Sequence, residues 1–206
     1  TAEPILDYIN WWGSEFGMDI DVKFAPYNQV FMELLDPASL ISSNTGANLL
    51  LVRFEDWIRN ETLENDASIL ANLDKNYTEL VSILKDKQKN VPFFVGVFPI
   101  STHLNLSQKI AERIKDLNLE WDKEIEAMEN VHILDFRKAI DEYDVTEVFD
   151  KLKDSEGHIP FTDEYYAALG ATVVRKLHSW KNQGFKVVVL DCDNTLWKGV
   201  CGEDGA

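Results

Sequence analysis

The sequence predicts an α/β fold, a parallel sheet with helices packed on both faces. Three observations carry that expectation. Apolar runs of strand length alternate along the chain with long segments whose apolar residues recur every three to four positions. Several of those runs are nearly continuous rather than alternating, as in strands covered on both sides. Of the 206 residues 45% are hydrophobic, with six Trp, six Tyr and eleven Phe, so a sizeable core can form.

In chain order, "PILDYINWWGSEFG" places Ile5, Tyr8, Ile9 and Trp12 on one helical face and ends at Gly17, a C-terminal cap. "DIDVKFAP" alternates, which predicts a strand with Ile20, Val22 and Phe24 on one side. "NQVFMELLDP" predicts a short helix closed by Pro37, and "ANLLLVRF" a strand buried on both faces. A long helix with Ile69, Leu70, Leu73, Tyr77, Leu80, Val81 and Leu84 inward follows, then the strand "PFFVGVFPI". A second long helix carries Leu106, Ile110, Ile114, Leu117, Trp121, Ile125 and Met128. "VHILDF" is the next strand, and "DEYYAALGATVVRKLHSW" a helix with Tyr166, Leu169, Val173, Leu177 and Trp180 inward. "KVVVLD" is the last strand. The linker "KNQGF" divides the chain near Gly184 into residues 1–183 and 184–206, and no internal repeat or low-complexity tract is present.

Composition excludes several functions. A formal charge of −16 argues against a nucleic-acid backbone or an anionic membrane as partner. The acid is spread along the chain, as on a solvated face. No stretch approaches the ~20 apolar residues of a membrane span. The two cysteines, Cys192 and Cys201, do not make a disulfide framework, so a reduced, cytoplasmic protein is expected.

In parallel sheets of this kind ligands sit beyond the carboxyl ends of the strands. That rule points to "VRFEDW", "FPISTH", "DFRK" and "DCDNT". The last is the most chemical. Residues two apart in an extended segment project to the same side, so Asp191 and Asp193 can share one cleft. One carboxylate can attack phosphorus or hold Mg²⁺ while the other serves as acid and base. Thr195 can bond back to the turn and fix it. A strand-end turn rich in Asp and Asn is the structural alternative.

The full string, "VVVLDCDNTLWKGVCGEDG", resembles motif I of the haloacid dehalogenase (HAD) superfamily of phosphotransferases. More narrowly it is similar to the FkbH-like branch. "FAPYNQVFMELLDP", "LLVRFEDW" and "GHIPFTDEYYAALGATVVRKLHSW" also resemble the amino-terminal half of that family, so the resemblance covers essentially the whole chain. It implies a flavodoxin-type, SGNH-hydrolase-like domain over 1–183, then the first strand of a HAD Rossmann-like domain over 184–206. It implies an enzyme that takes a glyceryl unit from 1,3-bisphosphoglycerate, removes phosphate and loads the unit on the phosphopantetheine arm of an acyl carrier protein, in polyketide or peptide biosynthesis. By resemblance Asp191 is the Mg²⁺ ligand and phosphoryl acceptor, and Asp193 the acid/base and second metal ligand. Cys192 would hold the glyceryl group as a thioester, its thiolate favoured by the neighbouring metal. A small buried filler is the alternative for Cys192, and Cys201 reads as an incidental thiol. HAD enzymes need further acidic, Lys and Ser or Thr groups from later strands, so the chain reads as an inactive fragment of such an enzyme.

In the first domain the resemblance makes His158 in "DSEGHIPFT" the candidate base. The spacing departs from the family's Asp-x-x-His, since Ser155 rather than Asp154 lies three residues before it. "VRFED" stands where the family has its oxyanion block, and the serine block is missing. Hydrolysis, a helix-start role for His158 before the Thr162–Glu164 cap region, and a binding role remain as readings. In the last, His158 and Arg53 line a cleft that docks the carrier or its arm. His103 reads as a polar loop residue that could face the cleft, while His132 and His178 read as structural. Trp11 and Trp12 divide between core and rim. An acidic carrier would need a local basic spot, for which "VVRKLHSWKNQGFK" is the richest candidate, unless those cations only complement a helix end. Two rivals stay open: a HAD phosphatase on a sugar or small phosphate, and a non-catalytic carrier-docking module.

Overall fold

The structure, a computed structural model, describes residues 2–59, 65–87, 91–104 and 106–182. The expected strand "KVVVLD" and Asp191, Cys192, Asp193, Thr195 and Cys201 lie outside the described residues.

The architecture is α/β. A turn of 3-10 helix, Glu3–Ile5, leads into α1 (Leu6–Glu15). Gly17 ends that helix at φ +63°, a left-handed conformation that glycine adopts without steric cost. Then come α2 (Val30–Leu35), α3 (Leu40–Ser43), β1 (Asn48–Leu50), α4 (Asp66–Lys87) and β2 (Phe93–Val97). After these follow α5 (Gln108–Glu126), β3 (Val131–Asp135), α6 (Phe136–Glu142), α7 (Lys151–Gly157) and α8 (Asp163–Lys181). Among the described residues the sheet has order β1-β2-β3, all parallel, with Leu50 opposite Val95 and Val95 opposite Ile133.

The strand period of two builds the core on both sides. Phe93, Val95 and Val97 join Leu50 and Val131 in packing against the buried stripes of α4 and α5. Phe94 and Leu134 face the other way, into a cluster with Ile5 and Ile9 of α1, Ala139 of α6, and Tyr165, Leu169 and Val173 of α8. Gly96 also faces this second layer. A Cβ there would stand 2.6 Å from the Phe136 ring, so the missing side chain is what lets that ring close over the strand.

Three expectations are corrected. Residues 19–26 form no ladder-bonded strand among the described residues, although Ile20, Val22 and Phe24 do pack as partly buried residues on the second cluster. Alternating burial needs only a face to lie against, whereas a strand also needs a backbone partner. β1 is short and covered on one face only, with Leu49 36% exposed between buried neighbours. Trp180 is 45% exposed, because it lies in the last turn of α8, where it reaches the rings of Phe94 and His132 and little else of the core. The sequence also gave no warning of α6 and α7, two helices of seven residues in the acidic stretch.

Candidate functional site

Two of the strand-end loops named by the sequence come together. After β1 the chain turns through a 3-10 segment, Phe54–Trp57, and after β2 it runs on through Ser101 and His103. Arg53 Nη2 donates to Ser101 Oγ at 2.7 Å and to Glu55 Oε1 at 3.2 Å, and the Ser101 amide donates to the same Glu55 oxygen. Arg53 and Glu55 are almost wholly buried, so the pair survives only because each neutralises the other. The Arg53 guanidinium also stacks 5.2 Å from the centre of the Phe161 ring, while its Nε and Nη1 have no acceptor among the described residues.

A second knot lies beside the first. Arg59 grips Asp154 of α7 through two bonds, Nη1 to Oδ1 at 2.6 Å and Nη2 to Oδ2 at 2.8 Å. His103 Nε2 lies 2.9 Å from the same Oδ2. Arg59 Nη1 also stands 3.0 Å from His158 Nδ1. Asp56 links the two knots, with its Oδ1 3.8 Å from Arg53 and 3.4 Å from Arg59. Tyr27 stacks nearly parallel on the His158 ring at 6.0 Å.

Protonation follows from this geometry. Burial works to raise the Asp154 carboxyl, but the hydrogen bonds of Arg59 and His103 outweigh it and hold the group below the usual carboxylate range. An ionised carboxylate only accepts, so His103 Nε2 must carry the proton and donate it. Arg59 likewise only donates, so the His158 Nδ1 facing it is an acceptor. Burial, then the charge of Asp56, raises the Tyr27 phenol, which therefore stays neutral.

The sequence-derived candidates fare differently. Arg53 does not line an open cleft; it is 6% exposed and turned toward Ser101 and Glu55. His158 does not start a helix. It caps the carboxyl end of α7 in the left-handed region, φ 53°, four residues before Thr162 caps the start of α8. A non-glycine residue in that conformation is uncommon and is held here by its surroundings. Arg59 joins the Arg53 knot to His158 through Asp56. His103 leaves the polar-loop reading and becomes a partner of Asp154. "DFRK" stays apart: Arg137 binds Asp135 at 2.7 Å and Asp122 at 3.0 Å, tying β3 to α5.

Arg59, Glu55 and Ser101 are not candidates from the sequence, and Asp154 enters there only as the carboxylate one position out of the Asp-x-x-His spacing. One signal was available: Asp154 and His158 lie four apart, the spacing that places two residues on one side of a helix end. His132 and His178 are packing residues, against Phe94 and Phe16 respectively. Among the described residues no group of three or more His, Cys, Asp or Glu could hold a metal ion. No described helix is long and apolar enough to cross a membrane. In the basic stretch of α8, Arg175 is engaged by Glu142 and Tyr143.

Comparison with solved structures finds the N-terminal part of the protein BF1531 from Bacteroides fragilis, containing a phosphatase domain and complexed with Mg. The TM-score is 0.73 at 20% identity, over 98% of this chain and 55% of that one. The likeness is one of fold, and this chain spans about half the length of that N-terminal part. Neither protein-family models nor curated proteins gave a match.

Proposed function

We propose that this chain is the leading part of a HAD-type phosphoryl-group enzyme of the FkbH-like kind. The full protein would load a glyceryl or similar three-carbon acyl unit from 1,3-bisphosphoglycerate onto an acyl carrier protein with loss of phosphate. The observation that carries the reading is the string "VVVLDCDNTLWKGV", where two carboxylates and a thiol follow an apolar run directly. The fold it shares with the N-terminal part of a protein that contains a phosphatase domain supports it.

In this reading the carboxylates of Asp191 and Asp193 would hold Mg²⁺, a donor set of hard oxygens that suits that ion. When bound, Mg²⁺ neutralises charge on the transferring phosphoryl group. Asp191 would accept the phosphoryl group, Asp193 would move the proton, and Cys192 would carry the acyl unit as a thioester. Thr195 would steady the turn. Residues 1–183 would carry the SGNH-like domain.

A plain phosphatase is the second reading, favoured by the phosphatase domain of the structural relative. Cys192→Ala in the full-length protein separates the two. Glyceryl loading from 1,3-bisphosphoglycerate should vanish while phosphate release persists. Loading that survives the substitution would refute the thioester role.

A further inference from the structure

We propose that the sheet has a strand position between β1 and residues 19–26, and that it takes an apolar strand of the full-length protein, the segment that runs into Ala2. That segment lies outside the described residues. The inference uses none of the residues of the proposed phosphoryl chemistry.

Residues 19–26 run the length of the sheet. Trp180, in the last turn of α8, meets Phe94 and His132, the second residues of β2 and β3, so α8 ends at the amino ends of the strands. α1 runs beside α8 in the same direction, with Tyr8 against Gly170 and Phe16 against His178. Ile20 lies against Gly13, near the end of α1, whereas Tyr27 stacks on His158 among the loops beyond the carboxyl ends. The run between them is therefore parallel to β1.

Its side of β1 follows from the hand of the connections. α2 and α3 carry the chain from this run to β1, and Val30, Phe31, Leu34 and Ile41 pack on the same face of the sheet as α4 and α5. The steps from β1 to β2 and from β2 to β3 pass over that face too. Right-handed crossovers on one face advance in one direction, so residues 19–26 lie on the open side of β1, away from β2.

No ladder joins the two among the described residues. Asn48 N donates to Pro92 O at 2.9 Å, and successive residues of a strand turn their backbone groups to opposite sides, so the amide and carbonyl of Leu49 point away from β2. These groups and the backbone of residues 19–26 form no hydrogen bond among the described residues. Leu49 is 36% exposed, and Leu51, Ile20, Val22 and Phe24 are only partly buried. A slot with polar backbone on both sides and apolar side chains over it takes one kind of occupant, an extended segment apolar enough for a central strand.

The fold says which segment. The 3-10 turn Glu3–Ile5 packs on α8 and leads into α1, so it lies toward the start of α8. There the Phe161 ring lies under Arg53, and Tyr165 Oη donates to the carbonyl of Phe136, both beyond the carboxyl ends of the strands. The chain thus reaches Ala2 from the carboxyl side of the sheet, where a strand hands over to its helix. From the slot, α1 crosses the second layer to residues 19–26, a step in the opposite direction over the opposite face, which keeps the right hand. The end of the added strand would emerge between Tyr27 and Arg53 and bring its side chains to the candidate site.

Amide hydrogen exchange, read residue by residue, tests this in the full-length protein, in the same protein trimmed to begin at Ala2, and in the 206-residue chain. Val95, bonded within the middle strand, is the internal standard for slow exchange. The Leu49 amide and every second amide of residues 20–26 should exchange roughly 100-fold more slowly in the full-length protein than in the other two. The full-length protein alone can overturn the proposal, by exchanging Leu49 at the rate of an open amide while Val95 stays slow. Protection of Leu49 that survives trimming would also overturn it, since the strand then comes from elsewhere. So would equal protection in a 206-residue chain that sediments as a dimer, which would give the edge to a second copy. No residue from 191 to 195 is altered, so failure here leaves the proposed phosphoryl chemistry standing, and the converse also holds.

Discussion

At the scale of single residues, Asp154 is nearly wholly buried, and three hydrogen bonds replace the water it gave up. Removing its carboxylate takes away the two short bonds of the Arg59 guanidinium, whose side chain is only 14% exposed, and leaves it Asp56 at 3.4 Å. Asp154→Ala should therefore cost about 3 kcal/mol or more, read as a lowered midpoint in urea at unchanged slope. The pH dependence has a definite sign. Asp154 and Asp135 are each raised by burial but lowered further by hydrogen bonds, from Arg59 and His103 and from Arg137 respectively. A carboxyl lowered in the folded state binds protons more readily when unfolded. Its contribution is thus whole above the unfolded value of about 4 and fades as the pH falls through the folded value. Acid titration of the melting temperature should show the wild type falling below about pH 4, with Asp154→Asn falling less steeply. Arg53 was legible as a strand-end residue because "VRFED" follows an apolar run. Its burial was not, because the acceptors that allow it, Glu55 and Ser101, are joined only by folding across 46 positions. The same distance in sequence hid the Arg59–Asp154 pair, whose members stand 95 apart.

At the scale of elements, the long helices were the most legible, since a stripe such as Leu73, Tyr77, Leu80 and Leu84 has one reading when it runs for several turns. Caps agreed with it: Ser107 and Thr162 accept the amides of Ile110 and Tyr165 at the starts of α5 and α8. Short elements were less so. Ile20, Val22 and Phe24 show that alternation marks a packed edge even where no ladder forms. The seven-residue α6 and α7 are too short for a periodicity to show. The junction of α1 with α8 is close: a Cβ on Gly170 would stand 2.5 Å from Cβ of Tyr8 and 3.2 Å from its backbone carbon. Backbone cannot swing aside as a side-chain tip can. Gly170→Ala should force the helices apart and destabilise the protein by about 1–3 kcal/mol, despite alanine's higher helix propensity. A thermal melt at or above that of the wild type would contradict this packing.

Across the whole molecule, two cores flank the sheet and leave the carboxyl ends of the strands to the polar residues. There two arginines, three carboxylates and two histidines gather from segments that are remote in sequence. The α/β class was legible because it rests on repetition, which survives an error in any one element. The candidate site was legible only in its addresses, the loops after β1 and β2, and not in its pairings. A chain of charge −16 repels an acidic carrier at long range, so any docking must be local and short-ranged. The central claim, that Asp191, Cys192 and Asp193 open a centre that moves an acyl unit from an acyl phosphate to a carrier, has one direct test. The full-length protein is incubated with 1,3-bisphosphoglycerate, Mg²⁺ and an acyl carrier protein bearing its phosphopantetheine arm, and the carrier is weighed by mass spectrometry. The account predicts a carrier heavier by one glyceryl unit, with phosphate released in step and neither product in Asp191→Asn. A carrier of unchanged mass beside steady phosphate release would contradict it and leave a phosphatase.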